Sequence, residues 1–348
     1  MRTSTNKIAL ALGTALGLGW SGLAASQEIT LKVHHILPPS ATSQVGLIAP
    51  WCEKVTKESG GKLKCQIYPA MSLGGSPPQL YDQIKDGVTD IGWTLPGYNA
   101  GRFPISEVFE LPFMMTGDVE GTSRALWEYV QQHAKDEFKD VRPLAFHVHG
   151  PGVIHMREKQ IKTLEDFKGI KVRAPTRLTN KLIAAMGATP VGMPVPAVPE
   201  SLSKGVIDGA VIPWEVVNSV KVHELTKFHT ETDPKAPAFY TATFVYAINP
   251  ARYNALSADL KKVIDANSGA VLSARAGKAF GDADAPIRKL AVDRRNQFYT
   301  VPAAEVARWR QQAEPIAEEW VKERNRSNLP GLKLLEAARS LIAKYSKK

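Results

Sequence analysis

Ile170-Lys171-Val172-Arg173-Ala174-Pro175, with Thr176 opening a helical period that runs to Met186 and stops at Gly187, decides the fold. The run from Lys168 to Ala174 is β-rich and is closed by a proline that cannot extend a ladder. A strand that turns directly into a helix is half of a βαβ unit, which demands a parallel sheet. In open α/β sheets ligands bind outside the carboxyl ends of strands, where a following helix adds free N–H groups for an anion. Arg173 stands at that end, and a guanidinium there can grip a carboxylate with two parallel hydrogen bonds.

The same alternation extends in both directions. Upstream, Glu28–His34 and residues 62–68, 89–95 and 142–148 read as strands, and residues 41–59, 77–86 and about 118–135 as helices. Downstream, Asp208–Ile212 is a strand ended by Pro213, and residues 256–280, 283–298, 303–326 and 331–345 read as helices rich in Ala and i,i+4 charge pairs. Gly87-Val88-Thr89-Asp90-Ile91-Gly92-Trp93 echoes Gly205-Val206-Ile207-Asp208-Gly209-Ala210-Val211, each after a short helix. Lys62–Pro69 similarly echoes Gly169–Pro175. Two echoes in one order predict two lobes built alike, with the ligand crevice between them.

Composition fits this reading. The 348 residues are 44% apolar and 22% charged, which excludes disorder, collagen and small disulfide scaffolds. The net charge of +10 is diffuse, with no run of five basic residues, so nucleic acid is not an expected partner. Residues 1–26 read as a secretory signal: Arg2 and Lys7, the apolar run from Ile8 to Trp20, then Ser21, Gly22, Ala24, Ala25 and Ser26. The mature chain then begins near Gln27 in the periplasm. Its 42 basic and 34 acidic residues (44 less Arg2 and Lys7, against 34) give +8. No later stretch is long and apolar enough to span a bilayer. Cys52 falls on a helical stripe with Val45, Ile48 and Val55, and Cys65 shares a strand face with Leu63 and Ile67. In an oxidising compartment two such thiols favour a disulfide.

Catalytic motifs are missing: no Gly-x-Ser-x-Gly, His-Glu-x-x-His, phosphate-binding loop or dinucleotide fingerprint occurs. His147, His149 and His155 have no acidic neighbour and read as a polar strand edge, so no metal or cofactor is expected.

The stretch Leu164–Pro175, Met186-Gly187-Ala188-Thr189-Pro190 and Gly205–Gly209 resembles the DctP-type solute-binding proteins of tripartite ATP-independent periplasmic (TRAP) transporters. Leu73-Gly74-Gly75, Gly87–Asp90 and Val108-Phe109-Glu110-Leu111-Pro112-Phe113 match the same family, so the resemblance covers nearly the whole mature chain. It implies a type II-like two-lobed binding protein, not an enzyme, that closes over a small organic acid and delivers it to a membrane permease. Residues 27–149 with about 239–275 would form one lobe and 150–238 with about 276–320 the other. Residues 321–348 would pack helices across both.

Arg173 matches the family's carboxylate-clamping arginine. The place of a second arginine is taken by Gly152-Val153-Ile154, and that of a common site asparagine by Ile212, with Trp214 after Pro213. Both departures predict a less polar pocket, suited to a monocarboxylate with an aromatic or branched body. Trp93, Tyr98, His34, His35, Phe239 and Tyr240 are further candidates by position, and Arg177 is an alternative polar anchor. A periplasmic lyase or isomerase using His34, His35 or His155 as base, and a receptor presenting ligand to a membrane sensor, are the alternative readings.

Overall fold

A computed structural model describes residues 28–346. The expected leader lies outside them. Eleven strands among the described residues are β1 Ile29–His35, β2 Leu63–Tyr68, β3 Ile91–Thr94, β4 Arg142–Val148, β5 Val153–Met156, β6 Lys171–Ala174, β7 Thr189–Gly192, β8 Gly209–Ile212, β9 Phe228–Thr232, β10 Thr243–Ile248 and β11 Gln297–Val301. They make two sheets, ordered β2-β1-β3-β10-β4 and β11-β9-β5-β8-β6-β7. In each, three parallel strands are followed by one antiparallel strand that arrives from the other sheet: β10 lies between β3 and β4, and β5 between β8 and β9. The chain therefore crosses three times, through residues 149–152, 233–242 and 249–296.

The Gly87/Gly205 echo is a structural repeat. Gly87 (φ +76°) and Gly205 (φ +68°) each end a short helix in the left-handed conformation, and the next residue, Val88 or Val206, donates back to Gln83 or Ser201. Asp90 Oδ2 then accepts from the Lys32 amide and Asp208 Oδ2 from the Lys171 amide, both at 2.7 Å. These bonds make β1 the counterpart of β6, and Lys32-Val33-His34 the counterpart of Lys171-Val172-Arg173. The expected second echo is corrected accordingly: Lys62–Pro69 is β2, whose place in the other sheet belongs to β7.

Helices cover both faces. Cys52 on α1 (Ala49–Glu58) and Cys65 on β2 form a disulfide with 5.8 Å between their Cα atoms. Val45 leaves the expected stripe and is 59% exposed, because residues 43–48 wind as a π-helix and rotate the apolar face onto Leu47 and Ile48. Further on, α2 (Val119–Tyr129), α3 (Arg177–Ala185), α4 (Ala270–Asp293), α5 (Ala303–Arg326) and α6 (Gly331–Tyr345) complete the frame.

Strand β4 is an edge, and its Phe146 and Val148 amides are capped by the hydroxyls of Ser273 on α4 and Ser123 on α2. Helix α4 packs on α2 and β4 of the first sheet and on the short helix Trp214–Val217 beside the second. Likewise, α5 packs on α3 and α6 on α2, so the last two helices touch both sides. The expected helices 256–280 and 283–298 are corrected: the break falls at Gly269 (φ +78°), α4 runs on through the exposed Pro286, and residues 297–301 are a strand. Asp282, four residues back, is exposed, which lets water reach the carbonyl that Pro286 leaves without a helical partner.

Candidate functional site

The first two crossings touch each other. Gly152 N–H donates to Tyr240 O at 3.0 Å, Thr241 Oγ1 donates to His149 O at 2.9 Å, and the Ala242 amide donates to His149 Nε2 at 3.0 Å. His149 Nδ1–H meets Gly150 O at 2.6 Å, so both ring nitrogens are engaged in the neutral form. Burial pulls its pKa down to about 4. A Cβ on Gly152 would lie 2.0 Å from the Tyr240 ring, so only glycine lets that ring sit against the crossing.

Above this contact the lobes enclose an apolar cavity of about 30 Å3. The first lobe contributes Ile36, Leu37, Trp93, Leu95, Tyr98 and Phe244; the second contributes Arg173, Pro175, Val195, Ile212, Glu215 and Val216; His149, Tyr240 and Ala242 come from the crossings. Trp93 is held flat, its Nε1 donating to His147 Nε2 at 2.8 Å and its ring stacked on Phe244 at 4.8 Å. Phe244 stands opposite His147 in the β10–β4 register, and their rings also stack.

Arg173 is 2% exposed at the end of β6. Its Nε donates to Met193 O at 2.9 Å and its Nη1 to Val211 O at 3.2 Å, which fix the guanidinium plane and leave N–H groups for another acceptor. Among the described residues no carboxylate lies within ion-pair distance of it. Burial lowers its pKa, while the facing Tyr98 and Tyr240 favour the charge. A buried, unpaired cation is costly, and an anion brought by a ligand removes that cost.

Of the sequence candidates, Arg173, Ile212, Trp93, Tyr98 and Tyr240 line this cavity. Trp214 does not. Pro213 breaks the strand and starts a helical turn, so the period of two that would align Trp214 with Ile212 is lost. The Trp214 indole instead donates to Glu231 at 2.7 Å, packs against His155 and His229, and walls a second hollow of about 370 Å3 behind the crossings.

His34 is occupied by Gln83 at 3.0 Å and His35 by Gln44 at 2.8 Å, and Ile36 and Leu37 just beyond them reach the cavity. Phe239 packs on Phe113 and Trp309 in the core. Arg177 is tied to Glu107 at 2.5 Å and Glu323 at 2.9 Å. The expected polar edge at His147, His149 and His155 is corrected, since all three are buried; His155 Nδ1 faces His229 Nδ1 at 2.8 Å. Among the described residues no three His, Cys, Asp or Glu side chains form a metal-binding group, and no helix is long and apolar enough to cross a membrane. Phe244, Leu95, Val195 and Glu215 escaped the sequence reading, which took His149 only for part of a polar strand edge. Only Phe244, in the β-branched and aromatic run Thr243–Ile248, had a signal to follow.

A crevice walled by two lobes of one design, with its cation unpaired, defines a binding protein that closes over an anion. The chain belongs to the DctP family, bacterial extracellular solute-binding protein family 7, whose model matches residues 33–324. It is similar to a TRAP solute-binding protein from Rhodoferax ferrireducens T118 solved with copurified benzoate, at 54% identity and a TM-score of 0.90 over 91% of this chain and 98% of that one. It also resembles a marine-metagenome TRAP protein specific for aromatic acid ligands, solved with 3-hydroxybenzoate (47% identity, TM-score 0.90, 92% of this chain, 100% of that one). A third relative is the outer membrane transporter protein TsaT of Comamonas testosteroni, 28% identical over 91% of this chain and 93% of that protein. The protein is thus an extracytoplasmic organic-acid receptor of the TRAP type that works with a membrane permease, and not an enzyme.

Proposed function

We propose that this receptor captures an aromatic monocarboxylate of the benzoate class, with Arg173 on the carboxylate and Trp93, Phe244, Tyr98 and Tyr240 around the ring. The observation that carries the reading is the buried Arg173 guanidinium, without a carboxylate partner among the described residues, in the wall of a largely apolar cavity that also holds Trp93, Tyr98, Tyr240 and Phe244. The benzoate and 3-hydroxybenzoate of the two solved relatives support it.

With one cation in the wall, a second carboxylate on the ligand would be buried unpaired at a cost of several kcal/mol. The aromatic wall comes from the first lobe and the crossings rather than from Trp214, so the expected preference stands on different residues. The cavity of about 30 Å3 admits a water-sized body, so a ring enters only when the lobes part. In this reading residues 27–149 with about 239–275 move against 150–238 with about 276–320, and the leader at 1–26 directs export to the periplasm.

Calorimetry on the mature protein tests it. Benzoate-class acids should outbind succinate and malate by at least about tenfold, or ~1.4 kcal/mol. Arg173→Ala should cost ~2–5 kcal/mol of binding. A C4-dicarboxylate that displaces every aromatic acid, or an Arg173→Ala variant that binds like wild type, overturns the assignment.

A further inference from the structure

The cavity has a second polar wall. Glu215, in the first turn after Pro213, is 3% exposed and lines the hollow with Arg173. Its backbone is used at both ends: the amide donates to Asp284 Oδ1 at 2.9 Å, and the carbonyl accepts from Thr42 Oγ1 at 3.1 Å. The side chain is not fully used. Its Oε2 is buried and has no hydrogen-bond partner. Buried polar atoms are ordinarily paired, so one left unpaired in a binding cavity calls for a partner that the ligand brings.

Several other polar groups of the wall are already engaged. Trp93 Nε1 donates to His147, both His149 nitrogens are bonded, and the Tyr98 hydroxyl accepts from the Val195 amide at 3.1 Å. Burial and the neighbouring Asp284 push the Glu215 pKa well above the usual carboxyl range. In its neutral form the carboxyl offers an O–H and a carbonyl oxygen, and in its charged form two acceptor oxygens. Such a group pairs with a hydroxyl. It cannot neutralise a second carboxylate, which the neighbouring Asp284 would also disfavour.

We propose that Glu215 reads a ring hydroxyl, so that the ligand is a hydroxy-substituted aromatic monocarboxylate held at its carboxylate by Arg173 and at its hydroxyl by Glu215. This rests on the aromatic-acid reading above.

Two comparisons by calorimetry test it. In the wild-type protein, 3- and 4-hydroxybenzoate are compared with benzoate and with the matched 3- and 4-methylbenzoates, which fill the same space without the hydrogen bond. At least one hydroxy isomer should bind about tenfold tighter than both its methyl counterpart and benzoate. The same ratios are then measured in Glu215→Leu and Glu215→Gln. Leucine should bring the ratios to within about threefold of unity, and glutamine, which can still donate and accept, should keep most of the preference. Wild-type binding without preference for either hydroxyl position overturns the assignment, as does a preference that survives in Glu215→Leu. If wild type binds none of these acids, the aromatic reading itself falls; if it binds them without preference, only the role of Glu215 falls.

Discussion

At the scale of single residues, the site is set by where a side chain is forced rather than by what it is. Arg173 was legible because a strand end, a proline and a helix start fix its place in any βα unit. Trp214 was not, because one proline turned it through the wall to Glu231. The roles of His149 and Glu215 come from contacts with Ala242 and Asp284, far away in the chain. Gly152 is a further case, since it looks like an ordinary loop glycine and yet seats the Tyr240 ring. Gly152→Ala should force that ring into or away from the cavity. Overpacking of this kind costs ~1–3 kcal/mol, so the thermal midpoint should fall and benzoate affinity should drop at least about tenfold. Calorimetry showing wild-type affinity in the alanine variant would remove Tyr240 from the ligand wall.

At the scale of elements, the parallel strands β1, β2, β3, β6 and β8 could be read, while β7, β9, β11 and the strands that join from the other lobe could not. Strands β5 and β10 are antiparallel insertions between sheets, and nothing local tells a strand which sheet it will enter. The run Thr243–Ile248 is buried throughout and β-prone, yet nothing in it marks which strands it will pair with. The Gly-Val-x-Asp echo was legible because its physics is local, a left-handed helix stop and an aspartate cap on the neighbouring strand. The disulfide is similarly local, tying α1 to β2 across 13 residues of sequence. Closing a loop of that size contributes ~3 kcal/mol in the chain-entropy model. A Cys52→Ser, Cys65→Ser double variant should therefore melt several degrees lower while binding benzoate as wild type does. A double variant with an unshifted midpoint would show that the bridge adds no stability.

At the scale of the whole molecule, the two-lobed plan leaves an unusual set of titratable groups in its interior, and they pull stability in opposite directions with pH. Burial pulls His35 and His149 down to about 4 and His147 and His155 to about 3, against an ordinary value of 6.5. A histidine held neutral in the folded state contributes stability fully above pH 6.5, and that contribution is lost as pH falls toward 4, because the unfolded chain takes up the proton first. Burial works the other way on acids: it raises Glu110 and Asp284 to about 7 and Glu215 well above the usual range. A carboxyl whose folded value is raised contributes stability below about pH 4 that is lost as pH rises through that folded value, about 7 for Glu110 and Asp284. The histidines outnumber the acids between pH 4 and 6.5, so stability should climb across that window, reach a maximum near pH 6.5 and decline above 7. Thermal unfolding of the unliganded protein from pH 4 to 9 measures the curve. Glu215→Gln, neutral at every pH, should flatten the alkaline limb and leave the acid limb in place. An alkaline limb that is unchanged in the glutamine variant would mean that Glu215 is ionised in the folded protein, with its charge met by a group other than those that surround it here.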